Sequence, residues 1–253
     1  MHQFNGLWVD GASVIGSSHQ SRQRNNQDSW SVAHSRHAVV AAVADGSSSG
    51  PYSEIGARIA TRFLVARGVD ILPSQGADHL VVARRLLSDL VDELHRLSGQ
   101  LTAPGEPEAL TIADMFLFTV LLAIVDNDSY SILSVGDGLF GVDEKLVSLD
   151  GGAGFGPSYC MYAVLKPEDI GRSVDTEPRL QATGASEDIS NLLIATDGCS
   201  ELLQSSVHDS QSLGQLLDVR GQRSNLLQSR VESLVAERGQ PYDDATLVWM
   251  RSL

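Results

Sequence analysis

The chain of 253 residues has few basic residues and almost no lysine. Lys and Arg number 18 against 32 Asp and Glu, which leaves a net charge of −14, and only Lys145 and Lys166 are lysines. Proteins that bind nucleic acids or anionic membranes need a basic face to displace counterions from phosphates. The charge balance therefore argues against both functions. Neither lysine follows a glycine-rich loop, so a P-loop for nucleotide phosphates is absent too.

Cysteine and long apolar runs are also scarce. The two cysteines, Cys160 and Cys199, are too few for a disulfide framework or a thiolate metal site and fit a reducing cytoplasm. Residues 1–16 carry no Lys or Arg and no continuous apolar segment, so no secretory signal is expected. The longest mostly apolar stretch, 115–125, has 11 residues, well short of the ~20 that cross a bilayer. We therefore expect a cytoplasmic protein without a membrane segment.

The composition that remains, 42% hydrophobic and 20% charged, is typical of a globular protein. The length predicts one domain over residues 1–253. Helices are predicted from residue 53 to Gly68, with Ile55, Ile59 and Phe63 on one face, and from Ala77 to Gly99, with a leucine stripe. Shorter helices are predicted near residues 200 and 213 and over 226–235, and loops over 101–110 and 151–156. The predicted strands are 30–32, 38–44, 112–125, 130–135, a hairpin in 139–149, 158–165, 179–183, 191–196 and 245–250. Runs of strands between helix pairs predict an α+β fold.

Three of the predicted strands end in the dipeptide Asp-Gly, at Asp45, Asp137 and Asp197. Each copy alone indicates only a turn, because Asp-Gly is a favoured turn sequence. Asp28, before the first of these strands, and Asp243-Asp244, before the last strand, enlarge the acidic set. If the strands share a sheet, these carboxylates converge, and each close pair costs about 4 kcal/mol at ~4 Å and an effective dielectric of ~20. Oxygen ligands of this kind predict Mg²⁺ or Mn²⁺ rather than Zn²⁺. Two such ions would activate a water for attack on phosphorus.

The order of these blocks resembles the PPM family, the type 2C metal-dependent Ser/Thr protein phosphatases, and especially its divergent bacterial branch. The resemblance covers residues 13–250 and rests on these blocks: Gly16, His19, Arg22 and Asn26-Gln27-Asp28; Val43-Ala44-Asp45-Gly46; Val135-Gly136-Asp137-Gly138; Leu193 to Gly198; and Asp243 to Thr246. It implies a β-sandwich of two antiparallel sheets flanked by helix pairs, a four-layer αββα arrangement. The metals would lie at one end of the sandwich.

The resemblance also implies roles for individual residues. Two ions, Mn²⁺ or Mg²⁺, would be bound by Asp45, the Gly46 carbonyl, Asp197 and Asp244, with Asp28 holding a metal-bound water. Asp137 matches the ligand of a third, more weakly held ion. Either Arg22 or Arg24 would grip the substrate phosphate, because a guanidinium matches its paired oxygens.

Several positions depart from the family pattern, among them Phe118 and Gly138-Leu139, and three further departures prompt an alternative function. Gln27 replaces the usual Glu and is at best a neutral ligand, Ser47 replaces the His that protonates the leaving group, and Ala245 replaces Asn. The proton would then come from His19 or from water, although a surface loop is an equally good interpretation of His19. These departures leave open how active the protein is.

The leading hypothesis is a protein phosphatase that hydrolyses phosphoserine and phosphothreonine by attack of a metal-bridging hydroxide. Its partners would be phosphorylated proteins and a Ser/Thr kinase of the same pathway. One alternative is a phosphoprotein-binding pseudophosphatase with the same fold and a weakened metal site. Another is a hydrolase of small phosphoesters.

Overall fold

A computed structural model describes residues 2–4, 6–73, 76–150, 156–171, 174–207 and 226–252, with side chains from residue 6 onward except for 204–207. The strands are β1 (His2–Phe4), β2 (Leu7–Val14), β3 (Ser29–His34), β4 (Ala38–Gly46), β5 (Phe118–Asp126), β6 (Ser129–Val135), β7 (Gly138–Val142), β8 (Lys145–Leu149), β9 (Arg179–Ala185), β10 (Asn191–Ala195) and β11 (Ala245–Ser252). The helices are α1 (Ser17–Ser21), α2 (Ser53–Ile71), α3 (His79–Leu101), α4 (Glu108–Met115), α5 (Pro167–Ile170), α6 (Cys199–Val207) and α7 (Leu226–Arg238).

The strands form two antiparallel sheets that pack face to face. One sheet has the order β1-β2-β11-β10-β7-β8 and the other β3-β4-β5-β6-β9. A buried apolar cluster joins their inner faces and draws residues from both, among them Val9, Val43, Leu121 and Val248. Helices α2, α3 and α4 cover the outer face of the five-stranded sheet, while α6 and α7 cover the six-stranded one. The predicted α+β sandwich is confirmed.

Strand β4 shows why its sequence is a continuous apolar run. Val40 and Ala42 face α2 and α3, whereas Val39, Ala41 and Val43 face the opposite sheet. Because successive side chains of a strand point to opposite faces, a strand in a middle layer must be apolar at every position. The run therefore carries the chain to Asp45 with no polar residue before the end of the sandwich.

The predicted apolar face of α2 is only partly confirmed, because Ile59 and Phe63 are partly buried and pack against the core, whereas Ile55 does not. Ile55 is 39% exposed, and the buried face is formed mainly by small residues that include Gly56, Ala57 and Ala60. A Cβ on Gly56 would lie 2.3 Å from the Met115 carbonyl oxygen, so close packing rather than bulk defines this face. The helix also continues past Gly68 to Ile71.

Helix α3 follows its predicted stripe, with Ala83, Leu87, Leu90 and Leu94 buried. Asp78 caps it by accepting hydrogen bonds from two backbone N–H groups of the first turn, a standard way to satisfy unpaired donors. The helix ends at Leu101, two residues after the predicted stop at Gly99.

Several other boundaries differ from the prediction. The strand expected over 112–125 begins only at Phe118, because Glu108–Met115 is a helix. This helix also includes the end of the loop expected over 101–110. The strand expected over 158–165 is a 3₁₀ helix at Cys160–Val164, and β1 and β2 were not predicted. The remaining predicted strands and the helices near residues 200 and 226–235 are confirmed. The helix predicted near residue 213 and most of the loop at 151–156 lie outside the described residues.

Among the described residues, no helix combines the length and apolarity required to span a bilayer. Both cysteines are buried and unpaired.

Candidate metal centre

The three Asp-Gly dipeptides do not lie on one sheet. Asp45 is the second-last residue of β4 and Asp137 follows β6, two strands of the five-stranded sheet, whereas Asp197 follows β10 in the six-stranded sheet. The expected convergence therefore occurs between the sheets, at one end of the sandwich. The carboxylates of Asp45 and Asp197, one from each sheet, lie close enough there to repel each other.

Asp45 lies among other carboxylates. Removal from bulk water raises the pKa of Asp45 well above its usual value, and repulsion by Asp28, Asp197 and Asp243 raises it further. Such a group is stable as an anion only if a cation lies nearby. The electrostatics at Asp45 thus favour a bound cation.

Asp28 is buried immediately before β3. Its Oδ2 accepts a hydrogen bond of 2.7 Å from Thr196 Oγ1, which ties it to the end of β10. Its other oxygen, Oδ1, is buried without a hydrogen-bond partner. Burial, followed by repulsion from Asp244, raises the pKa of Asp28. An unpaired buried carboxylate oxygen is costly unless a ligand satisfies it.

Gln27 has a similar unpaired atom. Its Nε2 donates a hydrogen bond of 2.7 Å to the Gly50 carbonyl, which fixes the amide, while Oε1 is buried and unpaired. Next to it, a Cβ on Gly46 would lie 2.6 Å from the Gln27 carbonyl oxygen and 2.7 Å from Ser53 Oγ. Only glycine fits at this position, which leaves the Gly46 backbone close to the acidic cluster.

Asp137 lies at the edge of the cluster and is partly buried. Burial, and then repulsion by Asp197, raises the pKa of Asp137 to about 6. Asp197 itself is exposed. The arrangement leaves both carboxylates accessible from solvent.

Asp244, which the sequence predicts as a metal ligand, has its oxygens engaged elsewhere. Oδ1 accepts from the Gly16 backbone N–H at 2.6 Å, and Oδ2 accepts from the Gln27 N–H at 2.6 Å and lies 2.8 Å from His19 Nδ1. Asp243 is half-buried. Burial is the main reason that the pKa of Asp243 is raised, and repulsion by Asp197 raises it further. Of these two neighbours, Asp243 is thus the one that adjoins Asp45 and Asp197.

His19 is 1% exposed. One of its ring nitrogens and one carboxylate oxygen from each of Asp243 and Asp244 all lie within 4.8 Å of one another. Because its Nδ1 pairs with Asp244, His19 joins α1 to the start of β11. This burial does not fit the surface-loop interpretation.

The two candidate arginines have different surroundings. Arg24 Nη1 donates a hydrogen bond of 2.7 Å to the Ser48 carbonyl, two residues after Gly46. Arg22 is exposed. The guanidinium of Arg24 therefore lies beside the loop that follows Asp45.

Tyr159 is a site residue that the sequence interpretation missed. Its side chain lies near Ser47, and burial, with repulsion by Tyr162, Asp45 and Asp137, raises the pKa of Tyr159 to about 12. No motif marks this residue, because it reaches the site from a segment more than a hundred positions after Ser47 in the chain.

The residues present fit hard divalent cations. The donors are carboxylate, amide and carbonyl oxygens, which Mg²⁺ and Mn²⁺ prefer, and two buried oxygens, Asp28 Oδ1 and Gln27 Oε1, have no other partner.

Comparison with known families agrees with this geometry. A family model described as protein phosphatase 2C matches residues 15–235, most of the chain. The chain belongs to the protein phosphatase 2C family. The resemblance noted in the sequence is thereby confirmed. No curated protein sequence matches the chain significantly.

Solved structures share the protein phosphatase 2C fold at low identity. The Ser/Thr phosphatase Stp1 from Staphylococcus aureus superposes with a TM-score of 0.64 at 15% identity, over 99% of this chain and 97% of that one. The Ser/Thr phosphatase of S. agalactiae gives 0.62 at 16%, over 98% and 100%. The catalytic domain of the phosphatase PstP, solved with two manganese ions, gives 0.56 at 17%, over 97% of each chain.

Proposed function

We propose that this protein phosphatase 2C family member is an active, metal-dependent phosphatase that removes phosphate from phosphoserine and phosphothreonine in proteins. The observation that carries the proposal is the buried, unpaired Oδ1 of Asp28 within a cluster of mutually repelling carboxylates. A catalytic centre that uses cations explains why the fold retains so costly an arrangement.

We propose Mn²⁺ or Mg²⁺ as the cofactor, bound as two ions. Asp45, the Gly46 carbonyl and Asp197 would hold them, together with Asp243 in place of Asp244. Gln27 would contribute its buried Oε1, Asp28 would hold a metal-bound water, and Asp137 would hold a third ion. When bound, such ions supply an activated water and offset the charge of the phosphate.

The chain's own groups would bind and orient the substrate. Arg24, held beside Ser48, is better placed than Arg22 to bind the phosphate with its guanidinium. Asp28, fixed by Thr196, would orient a water through its free oxygen.

The leaving serine or threonine oxygen needs a proton when its bond to phosphorus breaks. We propose that the Tyr159 hydroxyl donates it, replacing the histidine whose position Ser47 occupies. The raised pKa of Tyr159 keeps its hydroxyl protonated at neutral pH, and the residue lies near Ser47 and Asp45. His19 is a poorer donor because it is buried and paired with Asp244.

The alternative is a phosphoprotein-binding pseudophosphatase. It is favoured by Gln27, a neutral group where the family pattern noted in the sequence has Glu, because a neutral ligand would weaken one metal position. In either case the partners are phosphorylated proteins, and a Ser/Thr kinase of the same pathway is implied. The buried free cysteines are compatible with the cytoplasm as its location.

Hydrolysis of p-nitrophenyl phosphate separates the two functions. We expect turnover with Mn²⁺, none with excess EDTA, and a loss of at least ~100-fold in Asp45→Asn, because the ions supply several kcal/mol of transition-state stabilisation. Asp70→Asn, an exposed acid on α2, is the matched control. If the protein binds Mn²⁺ and phosphopeptides but hydrolyses nothing, it is a pseudophosphatase; turnover that survives both EDTA and Asp45→Asn would contradict the metal mechanism.

A further inference from the structure

A cleft of about 390 Å³ lies beside the candidate metal centre, between β3 and α2. Asp28 lines it and is therefore shared with the metal centre. Arg58 and Arg62 line it from α2, one helical turn apart. The other lining residues are Ser13, Asn26, Ser29 and Trp30.

The serine and asparagine side chains of the cleft are already paired with protein atoms. Ser13 Oγ lies 2.6 Å from Thr246 Oγ1 and accepts from Asn26 Nδ2 at 2.8 Å. Asn26 Oδ1 accepts from the Asp28 N–H at 2.9 Å. These groups form a rigid wall, since a ligand would have to break existing hydrogen bonds to bind them.

The two arginines differ from this wall. Both are exposed, and within the described part of the chain neither guanidinium takes part in an ion pair, although acidic residues outnumber basic ones 32 to 18. On the same helix, Arg67 pairs with Asp89 at 3.6 Å. Each free guanidinium offers five N–H donors in a fork that matches a carboxylate or a phosphate.

The backbone beneath the arginines is fixed in place. Thr61, which lies between them in sequence, is fully buried, and its Oγ1 lies 3.0 Å from Ser29 Oγ and 3.2 Å from Ser31 Oγ on β3. The contact holds α2 against the edge of the five-stranded sheet. A ligand would therefore need to order only the outer part of each arginine side chain.

We propose that this Arg58–Arg62 cleft is a second anion-binding subsite, which binds a carboxylate or phosphate group flanking the phosphorylated residue of the substrate protein. The inference rests on the phosphoprotein substrate proposed above. Because Asp28 borders both spaces, a peptide whose phosphate lies at the metal centre extends its neighbouring residues into the cleft. The subsite would give a strongly acidic enzyme selectivity for acidic or multiply phosphorylated segments.

Equilibrium binding tests the subsite without turnover. Fluorescently labelled peptides would carry a non-hydrolysable phosphonate in place of phosphothreonine, flanked on either side by glutamine, glutamate or a second phosphonate. With Mn²⁺ present, we expect the wild-type protein to bind an anionic-flank peptide about tenfold more tightly than the glutamine version, as one or two charge-assisted contacts would give. The glutamate and phosphonate arms show which anion the subsite prefers.

Two variants locate the effect. Arg58→Gln/Arg62→Gln should reduce the preference to less than about twofold, since its source is removed. Arg85→Gln removes an exposed charge from α3, away from the cleft, and should retain the preference. The proposal is overturned if the wild-type protein shows no preference, if the double variant keeps it, or if Arg85→Gln loses it equally.

Failure of the subsite and failure of the proposed function give different results. A protein that turns over p-nitrophenyl phosphate but binds all flanks equally retains the proposed function and lacks the subsite. A protein that hydrolyses nothing, yet prefers anionic flanks through Arg58 and Arg62, has the subsite in a binding protein.

Discussion

At the scale of single residues, the neighbours Asp243 and Asp244 have different environments. Asp244 is 2% exposed and accepts backbone hydrogen bonds from Gly16 and Gln27. Asp243 is half-buried and repelled by Asp197. Asp244 therefore holds the surrounding loops together through its hydrogen bonds, while Asp243, the ligand proposed above, lies beside Asp197.

Substitution should separate these roles. In Asp243→Asn, we expect the Mn²⁺-dependent rise in melting temperature to be lost while the metal-free protein is at least as stable as wild type, because a repulsive charge is removed. Asp244→Ala should instead destabilise the metal-free protein by about 2 kcal/mol, since it leaves buried donors unpaired. Thermal unfolding with Mn²⁺ or EDTA measures both. The opposite pattern would restore Asp244 as the ligand.

Tyr159 also has a role that can be tested at this scale. If its hydroxyl protonates the leaving oxygen, Tyr159→Phe should lower kcat for a phosphothreonine peptide about 100-fold, the usual contribution of general acid catalysis. The effect on p-nitrophenyl phosphate should be much smaller, because nitrophenolate leaves without a proton. Tyr162→Phe is the control, because the ring centroid of Tyr162 lies 5.1 Å from that of Tyr159. Equal losses on both substrates would rule out proton donation.

At the scale of elements, the site depends on loops that approach each other closely at glycine residues. A Cβ on Gly198, after β10, would lie 2.0 Å from the Asp244 carbonyl oxygen, and one on Gly16 would lie 2.3 Å from the Asp243 carbonyl carbon. The segment before β11 is thus held between two glycines. Away from the site, a polar contact links the start of α3 to the β5–β6 turn, where His79 Nε2 lies 3.1 Å from Asp126 Oδ2.

Adding one methyl group should therefore disturb the site. We expect Gly198→Ala to destabilise the protein by about 2 kcal/mol through overpacking and to weaken Mn²⁺ binding, because the Asp243-Asp244 backbone must move. A Cβ on Gly99, on α3, would have only the Glu108 side-chain oxygen within reach, at 3.7 Å. Gly99→Ala should therefore stabilise the folded protein by about 0.5–1 kcal/mol. Urea unfolding and a Mn²⁺ titration measure the two effects. Unchanged Mn²⁺ affinity in Gly198→Ala would show that the site tolerates the shift.

At the scale of the whole molecule, the acidic cluster stores unfavourable energy when no cation is bound. The folded-state pKa values of Asp28, Asp45 and Asp137 are all raised. Groups of this kind bind protons more tightly in the folded than in the unfolded chain. Their contribution to stability is therefore lost as pH rises from the unfolded pKa, about 4, through the folded value.

A pH dependence follows for the metal-free protein. In EDTA, we expect the melting temperature to fall between about pH 5 and pH 7 and to recover when Mn²⁺ is added at the higher pH. Asp45→Asn should flatten the fall and abolish most of the recovery. Differential scanning calorimetry in matched buffers provides the measurement. A wild-type melting temperature that rises over this range would contradict the raised pKa values as the dominant effect.

Much of this protein could be predicted from its order of residues alone. Apolar runs such as Val39 to Val43 must be buried on both faces, and the Asp-Gly pattern at their ends marks the acidic cluster. These features are local, because they depend on the two-residue period of a strand and on turn chemistry.

The tertiary structure decided the rest. Which face of α2 is buried depends on how closely Met115 approaches Gly56, and no periodicity records that contact. The different environments of Asp243 and Asp244, the approach of Tyr159 to Ser47 and the cleft between Arg58 and Arg62 all depend on groups from distant parts of the chain. Residue order determined which chemical groups were available, and packing determined which of them meet. A contact between two distant segments leaves no pattern in the sequence of either segment alone.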